Sequence, residues 1–366
     1  MTDLPEWSLP LCGCLLTTMD FDTESIEYAK QFPVEDTDVF VATFPKSGTT
    51  WMQHILSLVL NGGDLTPINT IPNWDRVPWM GSKRLAEIAD QLKSPRALAT
   101  HLLFAKMPPS FHTSKAKVIY VMRNPKDVLV SSYYFHQMAC FLDNPRTFDE
   151  FFDNFLEGKV LYGKWTDHVK SWRRAGLEDR IMYITYEEMA QDLPASIRRV
   201  SDFLCCNLSE EVIQKIANSS SFKSMKANPM SNFSTVPKGH MDMDKSAFLR
   251  KGSSTIPPTS CCCLWPSQTS WYNLDAGDPP TGAEWWRSDT NQYNSKLGPG
   301  PMAGREKTGT DCGSAEISTC TGYTFPLQPH APILPHLQGQ GDLRHEEPKR
   351  YPGVFILLPP DGHFPR

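Results

Sequence analysis

Continuous apolar runs alternate with amphipathic runs over the first 252 residues of this 366-residue chain. Runs of the first kind are typical of β-strands that are buried on both faces of a sheet. There are four of them: DVFVATF at 38–44, ALATHL at 97–102, KVIYVMR at 117–123 and RIMYITY at 180–186. Their separation by helical segments predicts an α/β fold of three layers, with a central parallel sheet flanked by helices.

Helical segments follow three of these runs. TTWMQHILSLVLNG comes after the first run, NPKDVLVSSYYFHQM after the third and EEMAQDLPASIRRVSDFL after the fourth. Asn124 can cap the second of these helices, with Pro125 in its first position. A further amphipathic helix, SEEVIQKIANSSSF, has Ser209 as its predicted N-cap and acidic residues in its first turn. In parallel sheets of this kind, ligands bind beyond the carboxyl ends of the strands.

The pattern changes after Gly252. Sixteen of the 31 prolines lie from Pro257 onward, in a segment that mixes Pro, Gly, Ser and Trp without a helical or strand period. Such a composition buries too little apolar surface to offset its chain entropy. We therefore expect an N-terminal segment at 1–29, a folded domain at 30–252 and a mostly disordered tail at 253–366. A small separate domain in the tail is the alternative.

Charge and hydropathy argue against several classes of function. The net charge is −5, which does not favour a nucleic-acid-binding protein, so any anion site must be local. The longest apolar runs are far below the ~20 residues of a membrane-spanning helix. The start of the chain, MTDLPEWSLPLCGCLL, lacks the basic residues of a secretory signal, so we expect a cytoplasmic protein. None of the ten cysteines has the paired C-x-x-C spacing of a zinc site, so we expect free thiols and no metal.

The segment FPKSGTTW joins the first predicted strand to its helix. Amide groups at a helix start lack internal partners and carry partial positive charge. The corner adds a cation, a flexible backbone position and hydroxyl donors, which are Lys46, Gly48, Ser47, Thr49 and Thr50. These properties suit a phosphate, and Trp51 can stack on a base. The alternative is an ordinary capped helix with Trp51 in the core.

Two further predicted strands end in candidate functional residues. Arg123 follows a buried strand, where a charge without a partner is costly, and Ser131 lies about two turns into the next helix. Arg123 can bind a phosphate through two hydrogen bonds, or it can pair with a local acid such as Asp127. His101 ends an apolar run and is either a functional or a structural histidine. FLRKG at 248–252 places two bases before a glycine, a pattern that a solvated turn also explains.

Together these segments resemble the cytosolic sulfotransferases. FPKSGTTW is similar to that family's 5′-phosphosulfate loop, RNPKDVLVSSY is similar to its 3′-phosphate segment, and ATHL falls where the family carries its catalytic histidine. YEEM, SSSFKSMKANP and FLRKG match further cofactor contacts, and the order and spacing agree from about residue 30 to 252. The resemblance implies a P-loop-like fold. It also implies transfer of a sulfuryl group from 3′-phosphoadenylyl sulfate to a hydroxyl or amine of a small molecule, without a metal.

The resemblance further implies a role for each matching residue. His101 would be the base, and Lys46 would counter charge on the leaving phosphate. The 5′-phosphosulfate would be held by Lys46, Ser47, Gly48, Thr49 and Thr50. The 3′-phosphate would be held by Arg123, Ser131, Arg250, Lys251 and Gly252. The adenine would be flanked by Trp51 and Phe222 and contacted by Tyr186 and Ser220.

The acceptor is less determined by the sequence. TIPNWDRVPWM at 70–80 is expected to form an acceptor loop in which Trp74, Pro78 and Trp79 are apolar walls. YYFHQM at 133–138 would add Tyr134. Packing of surface loops explains the same residues equally well, and a phenol, an alcohol, a sterol and an amine are all compatible as the acceptor.

The chain departs from the family pattern near its histidine and again after Gly252. Ala99 stands where the family often has a lysine, and KGSSTIPPTSCCC replaces the family's usual closing segment with its Gly-Asp-Trp-Lys start and short dimer motif. The second departure argues against a homodimer through that segment. It also supports an alternative hypothesis, an inactive or unstable isoform that binds nucleotide weakly or not at all. A P-loop kinase is a third hypothesis, but lysine precedes glycine in this loop, unlike in G-x-x-x-x-G-K-[ST].

Overall fold

The computed structural model describes residues 8–11, 14–177 and 179–250. Lys251, Gly252 and the tail at 253–366 lie outside these described residues. The strands are β1 Ser8–Leu11, β2 Cys14–Thr17, β3 Val39–Thr43, β4 Ala97–Thr100, β5 Lys117–Met122 and β6 Ile181–Thr185. The α-helices are α1 Thr23–Gln31, α2 Thr49–Leu60, α3 Thr66–Thr70, α4 Asn73–Arg76, α5 Lys83–Ile88, α6 Pro109–Thr113, α7 Pro125–Met138, α8 Phe148–Glu157, α9 Trp165–Arg173, α10 Tyr186–Gln191, α11 Leu193–Leu204, α12 Glu210–Ser219 and α13 Phe222–Ala227.

The four predicted strands form one parallel sheet in the order β4-β3-β5-β6. Val39 of β3 is in register with Ala97 of β4 on one side and with Lys117 of β5 on the other. The chain therefore runs from β3 to one neighbour and then crosses to the other, which creates a switch point at the carboxyl end of β3. Strands β1 and β2 form a separate antiparallel hairpin.

Both faces of the parallel sheet are buried. Along β3, Phe40 packs into one hydrophobic cluster that includes Trp172 of α9, and Val39 and Val41 pack into another that includes Ile55 of α2. All five residues of β3 are buried. Since alternate side chains of a strand point to opposite faces, helices must cover the sheet on both sides. The predicted three-layer α/β fold is confirmed.

The predicted helix starts are confirmed, but one predicted helical run divides into two helices. Asn124 Oδ1 accepts a hydrogen bond from Lys126 N at 3.0 Å, and Ser209 Oγ accepts one from Val212 N at 3.4 Å. After β6, helix α10 ends before Asp192, and α11 begins with Asp192 as its cap. Pro194 lies in the first turn of α11, where its missing N–H is tolerated; inside a longer helix it would remove a hydrogen bond.

The carboxyl ends of the parallel strands bring the candidate residues to one edge of the sheet. Lys46 follows β3, His101 follows β4, Arg123 follows β5 and Tyr186 follows β6. Parallel strands end at the same edge, so residues that are far apart in the sequence meet there. This edge is where the expected ligand site should be.

Three expectations from composition concern thiols, membranes and metal ligands. Cys140, Cys205 and Cys206 are free thiols. Over the described residues, no helix has both the length and the apolar character needed to cross a bilayer. In the same ranges, no three or more His, Cys, Asp or Glu side chains are grouped as metal ligands.

Candidate active site

The loop between β3 and α2 turns sharply at Lys46 and Gly48. Both residues have positive φ angles, 65° at Lys46 and 105° at Gly48, and Ser47 N–H donates to the Phe44 carbonyl at 3.2 Å. Gly48 provides no side-chain cap for α2, so the amide groups of the first helical turn are available to a ligand. The corner therefore has the open helix start that favours an anion.

Tyr186, the first residue of α10, lies directly against Gly48. A Cβ atom at position 48 would come within 2.9 Å of Tyr186 Cδ2, which is closer than carbon atoms approach without displacement. The φ angle of 105° also disfavours any residue with a side chain. Glycine is thus required at position 48 both by the backbone conformation and by the packing of Tyr186.

Arg123 supports this corner from the neighbouring strand. Its Nη1 donates to the Lys46 carbonyl at 2.9 Å, and its Cζ lies 4.1 Å from the centre of the Tyr186 ring. Among the described residues these contacts, and not an ion pair with Asp127, hold the side chain. Arg123 Nε is buried and has no hydrogen-bond partner in the described ranges. A buried donor of this kind is suited to an acceptor on a ligand.

Lys46 extends over two aromatic rings. Its Nζ lies 4.2 Å from the ring centre of Phe135 and 4.5 Å from that of Phe248. Burial, and then the charges of Arg123 and Arg250, lower the pKa of Lys46 to about 7. An anion in the corner would raise this pKa again, because it stabilises the charged ammonium.

Arg250 approaches the same region from the last described part of the chain. Its Cζ lies 4.6 Å from the centre of the Tyr134 ring in α7. Arg250 and Ser131, also in α7, both line the cavity described below. Lys46, Arg123 and Arg250, called here the cationic group, therefore come from three distant segments to one place.

Trp51 and its neighbours form a second surface beside the corner. Trp51 Nε1 donates to the Ser220 carbonyl at 2.9 Å, and its ring centre lies 5.3 Å from that of Tyr186. Ser220 is fully buried and its Oγ has no partner among the described residues, whereas Phe222 is 40% exposed. An exposed ring beside an unpaired hydroxyl is a suitable setting for a nucleobase, which has both a flat face and polar edges.

The ring of His101 is oriented by the end of β3. His101 Nδ1 lies 2.6 Å from the carbonyl oxygen of Thr43 and 3.2 Å from its Oγ1. A carbonyl oxygen can only accept a hydrogen bond, so Nδ1 carries the proton and Nε2 is left with its lone pair. Burial, together with the charge of Lys46, lowers the pKa of His101 to about 3. His101 is therefore neutral at physiological pH, with an unprotonated Nε2.

Most of the predicted site residues line one cavity of about 510 Å³. Three in the described ranges do not. Ser47 is buried with an unpartnered Oγ, Pro78 accepts a hydrogen bond from Ala99 N at 2.9 Å, and Tyr134 lies under Arg250. The predicted residues that line the cavity are Lys46, Gly48, Thr49, Thr50, Trp51, Trp74, Trp79, His101, Arg123, Ser131, Tyr186, Ser220, Phe222 and Arg250.

Several cavity residues carry no recognisable signal in the sequence. The rings of Phe135, Phe248, Phe233 and Trp74 are in successive contact, with centres 6.4, 4.0 and 5.1 Å apart; we call them the aromatic wall. A second series starts at Trp79, 4.4 Å from His101 between ring centres, and continues through Tyr162 at 5.0 Å from His101. Only Trp74 and Trp79 were predicted; Phe135 and Phe248 lie in segments that the sequence singled out for other residues, and Phe233 and Tyr162 have no signal of their own in the sequence.

Asp20 is the one acidic residue among the described residues that line the cavity. The turn that carries it is fixed, because Phe21 N donates to the Thr17 carbonyl at 3.1 Å and Lys83 N donates to the Asp20 carbonyl at 2.9 Å. The residue is exposed overall, yet partial desolvation of the carboxylate raises its pKa, opposed by Lys83 and His240. A carboxylate here gives the cavity one site of negative charge.

Comparison with known proteins gives consistent matches. The family model described as Sulfotransferase domain matches residues 36–255. Sulfotransferase 2B1 of Mus musculus is 43% identical over 235 residues, which are 64% of this chain and 70% of that protein. Sulfotransferase 2A1 of Homo sapiens is 40% identical over 243 residues, which are 66% of this chain and 85% of that protein.

Solved structures give the same result. The crystal structure of mouse sulfotransferase SULT7A1 complexed with PAP is similar with a TM-score of 0.53 and 28% identity, covering 61% of this chain and 76% of that one. Retinol dehydratase in complex with androsterone and inactive cofactor PAP has a TM-score of 0.58 at 23% identity, and the match covers 81% of this chain and 90% of that one. The second match concerns the fold alone.

Proposed function

Because the chain belongs to the sulfotransferase family, we propose that it transfers a sulfuryl group from 3′-phosphoadenylyl sulfate to a hydroxyl or amine of a small molecule. The catalytic domain would be the segment 30–252 that the sequence predicts. One observation carries the proposal: the cationic group and His101, with its unprotonated Nε2, line the same cavity. The PAP in the mouse relative supports a nucleotide of the same kind here.

The polar atoms of the site fit such a nucleotide. Arg123 Nε, Ser47 Oγ and Ser220 Oγ are buried without hydrogen-bond partners among the described residues. Buried polar groups without partners are rare and costly in folded proteins. Phosphate oxygens and the edge of a base would supply the missing acceptors and donors. Thr49, Thr50 and Ser131 add hydroxyls to the same cavity.

Lys46 and His101 would perform the chemistry. His101 Nε2 would take the proton of the acceptor hydroxyl or amine, whose oxygen or nitrogen would bond to sulfur as the bond between sulfur and the leaving phosphate of the donor breaks. Lys46, together with Arg123 and Arg250, would stabilise the charge that develops on the leaving phosphate. The hydrogen bond from His101 Nδ1 to the Thr43 carbonyl supports the tautomer that this role needs.

The acceptor would lie against the aromatic wall and Trp79. Trp74 and Trp79 line the cavity, and Trp79 is in ring contact with His101. Pro78 and Tyr134 would act indirectly, Pro78 by pairing its carbonyl with Ala99 and Tyr134 by supporting the guanidinium of Arg250. This arrangement places apolar surface next to the proposed base, as an acceptor with an apolar body requires.

The experiment combines calorimetric titration with adenosine 3′,5′-bisphosphate and a transfer assay on a panel of phenols, alcohols, sterols and amines. We expect the unaltered protein to bind the nucleotide and to sulfonate at least one acceptor. His101→Ala should lower kcat by roughly 10²–10⁴-fold, while nucleotide binding is retained. The exposed His112→Ala is the control and should leave both quantities unchanged.

Each other outcome contradicts a defined part of the proposal. A folded protein that does not bind the nucleotide would favour the inactive-isoform hypothesis. Transfer that survives His101→Ala at full rate would exclude His101 as the base. Phosphate transfer from ATP that depends on Mg²⁺ would favour the kinase hypothesis instead.

A further inference from the structure

We propose that His168 is a positioning residue for the reaction, which holds the backbone of His101 in place, and that Tyr120 sets the His168 tautomer needed for this. The inference rests on the proposed role of His101. It concerns two buried side chains that no sequence motif singled out. His168 lies in α9 and Tyr120 lies in β5, far from His101 in the sequence.

The segment that carries His101 needs support from outside the sheet. Strand β4 ends at Thr100, so the carbonyl groups that follow it have no partner in the ladder. Helix α9 provides the partners: His168 Nε2 lies 3.1 Å from the His101 carbonyl and Trp172 Nε1 donates to the Leu102 carbonyl at 3.0 Å. Ser171 Oγ accepts from Phe104 N at 2.9 Å. One helix thus anchors the chain at three successive points after the strand.

The chemistry of the contacts determines the state of His168. The His101 carbonyl can only accept, so His168 Nε2 must carry the proton. The other nitrogen, Nδ1, is then an acceptor for the hydroxyl of Tyr120, which lies 2.8 Å away. Burial lowers the pKa of His168 to about 3 and raises the pKa of Tyr120, so both groups remain neutral. The Tyr120 hydroxyl therefore selects the tautomer that donates to His101.

Together these contacts hold His101 at two points. The ring is bound to Thr43 through Nδ1, and the main chain is bound to His168 through its carbonyl. With both ends held, the direction of Nε2 is defined relative to the cavity. His168 and Tyr120 are both fully buried, so their three polar atoms, two ring nitrogens and one hydroxyl oxygen, have lost their contact with water. Because an apolar pair would fill the same space without that cost, packing alone does not explain these two residues.

The test compares four variants by steady-state kinetics, nucleotide titration and thermal unfolding. His168→Met removes the donor at similar size, whereas His168→Gln keeps an N–H donor near the position of Nε2. Tyr120→Phe removes the hydroxyl that selects the tautomer. Tyr183→Phe is the matched control, because its hydroxyl donates to the Trp172 carbonyl of the same helix at 2.8 Å.

We expect His168→Met to lower kcat by roughly 10- to 100-fold, because small displacements of a reacting group have effects of this size. KM and nucleotide affinity should remain near those of the unaltered protein. His168→Gln should restore most of the rate, and Tyr120→Phe should lower kcat more than Tyr183→Phe at a comparable loss of thermal stability.

The inference is overturned if His168→Met and His168→Gln lose kcat equally, or if the loss of rate follows thermal stability across all four variants. A further readout separates this inference from the proposed function. In nitrogen-15 spectra of histidine-labelled protein, His101 should show the Nδ1–H tautomer, and His168→Met should broaden or shift its signals. The signals of His54, a buried residue of α2 whose Nδ1 lies 3.0 Å from Ser231 Oγ, should stay unchanged. If the unaltered protein has no transfer activity, the proposed function fails, and these spectra still decide whether His168 orders His101.

Discussion

The cationic group and the aromatic wall line the same cavity, but they are built in different ways. Arg123 directly follows β5 and Lys46 lies three residues after the end of β3, and the Arg123 side chain donates a hydrogen bond to the Lys46 carbonyl. The aromatic wall is assembled from α7, α4 and loops after α13, and its members touch one another through ring contacts.

This difference explains why the residues of the cationic group can be recognised in the sequence and most residues of the aromatic wall cannot. A phosphate has fixed charge and size, so it requires a cation, an open helix start and a glycine at set positions in the chain. An apolar acceptor requires only surface of suitable shape, which many combinations of aromatic and aliphatic residues provide. A site that binds charge is therefore recognisable in the sequence as a motif, whereas an apolar surface has the same sequence pattern as an ordinary core.

Of the changes that compare these two regions, the largest effect should come from Lys46. Lys46→Met keeps the length of the side chain and its contact with Phe135 and Phe248 but removes the charge. We expect kcat to fall by roughly 10²–10³-fold, because a donor aimed at developing charge contributes on this scale. Lys83→Met is the control, since Lys83 also lies near the cavity but is paired with Asp22 at 3.7 Å. Equal losses in both variants would show that the cationic group has no special role.

A smaller but still clear effect should come from Gly48. Gly48→Ala places a Cβ 2.9 Å from Tyr186 at a φ of +105°, so both the loop and the tyrosine must move. We expect affinity for adenosine 3′,5′-bisphosphate to fall by about tenfold or more, equivalent to ~1.4 kcal/mol. Gly62→Ala is the control, because Gly62 follows the other end of α2 and has a φ of +60° with no atom within 4 Å of the added Cβ. If calorimetry shows the same loss of affinity for both, the effect is not specific to the corner.

The pH dependence of nucleotide binding should identify Lys46 as well. Its pKa is about 7 in the free protein and rises when an anion binds. Below pH 7 the lysine is charged in both states, so its contribution is complete. Above pH 7 binding must take up a proton, and affinity should fall by up to about one log unit per pH unit. Titrations from pH 6.5 to 8.5 should show this slope, and a slope that persists in Lys46→Met would assign it to another group.

The smallest effect should come from Asp20, which would lie on the proposed acceptor side of the cavity. Asp20→Asn removes the one carboxylate of the described cavity lining. For two phenols of the same skeleton, with and without an ammonium group, we expect KM of the charged one alone to rise by about two- to fivefold, the range of an exposed ion pair. The neutral phenol is the internal control. A matching rise for both phenols would mean that Asp20 acts through the fold of its turn.

The sequence was sufficient to predict the sheet and to single out the corner that we propose holds phosphate. Continuous apolar runs predicted all four parallel strands, and Asn124 and Ser209 marked helix starts that the structure confirms. The division between α10 and α11 was missed, although Asp192 followed closely by Pro194 is a recognisable cap signal. These features depend on local chemistry, so a local pattern can reveal them.

Other features depend on contacts between distant segments. Thr43 and His101 are 58 positions apart, and His168 and His101 are 67 positions apart, yet their hydrogen bonds define the tautomer and support of the proposed base. In the sequence alone, His168 looks like any polar residue of an amphipathic helix, and Tyr120 looks like any residue of an apolar strand. No spacing rule links them.

By itself, the sequence determined the strands, the corner proposed to hold phosphate and the identity of the candidate base, because each depends on neighbouring residues. Tertiary structure alone decided which aromatic rings face the cavity, that Asp20 is its one described acid, and that α9 holds the segment after β4. The physical reason is range. Backbone capping and side-chain alternation act over a few residues, whereas ring contacts and buried hydrogen bonds form only when the packing of the sheet and helices brings distant segments together.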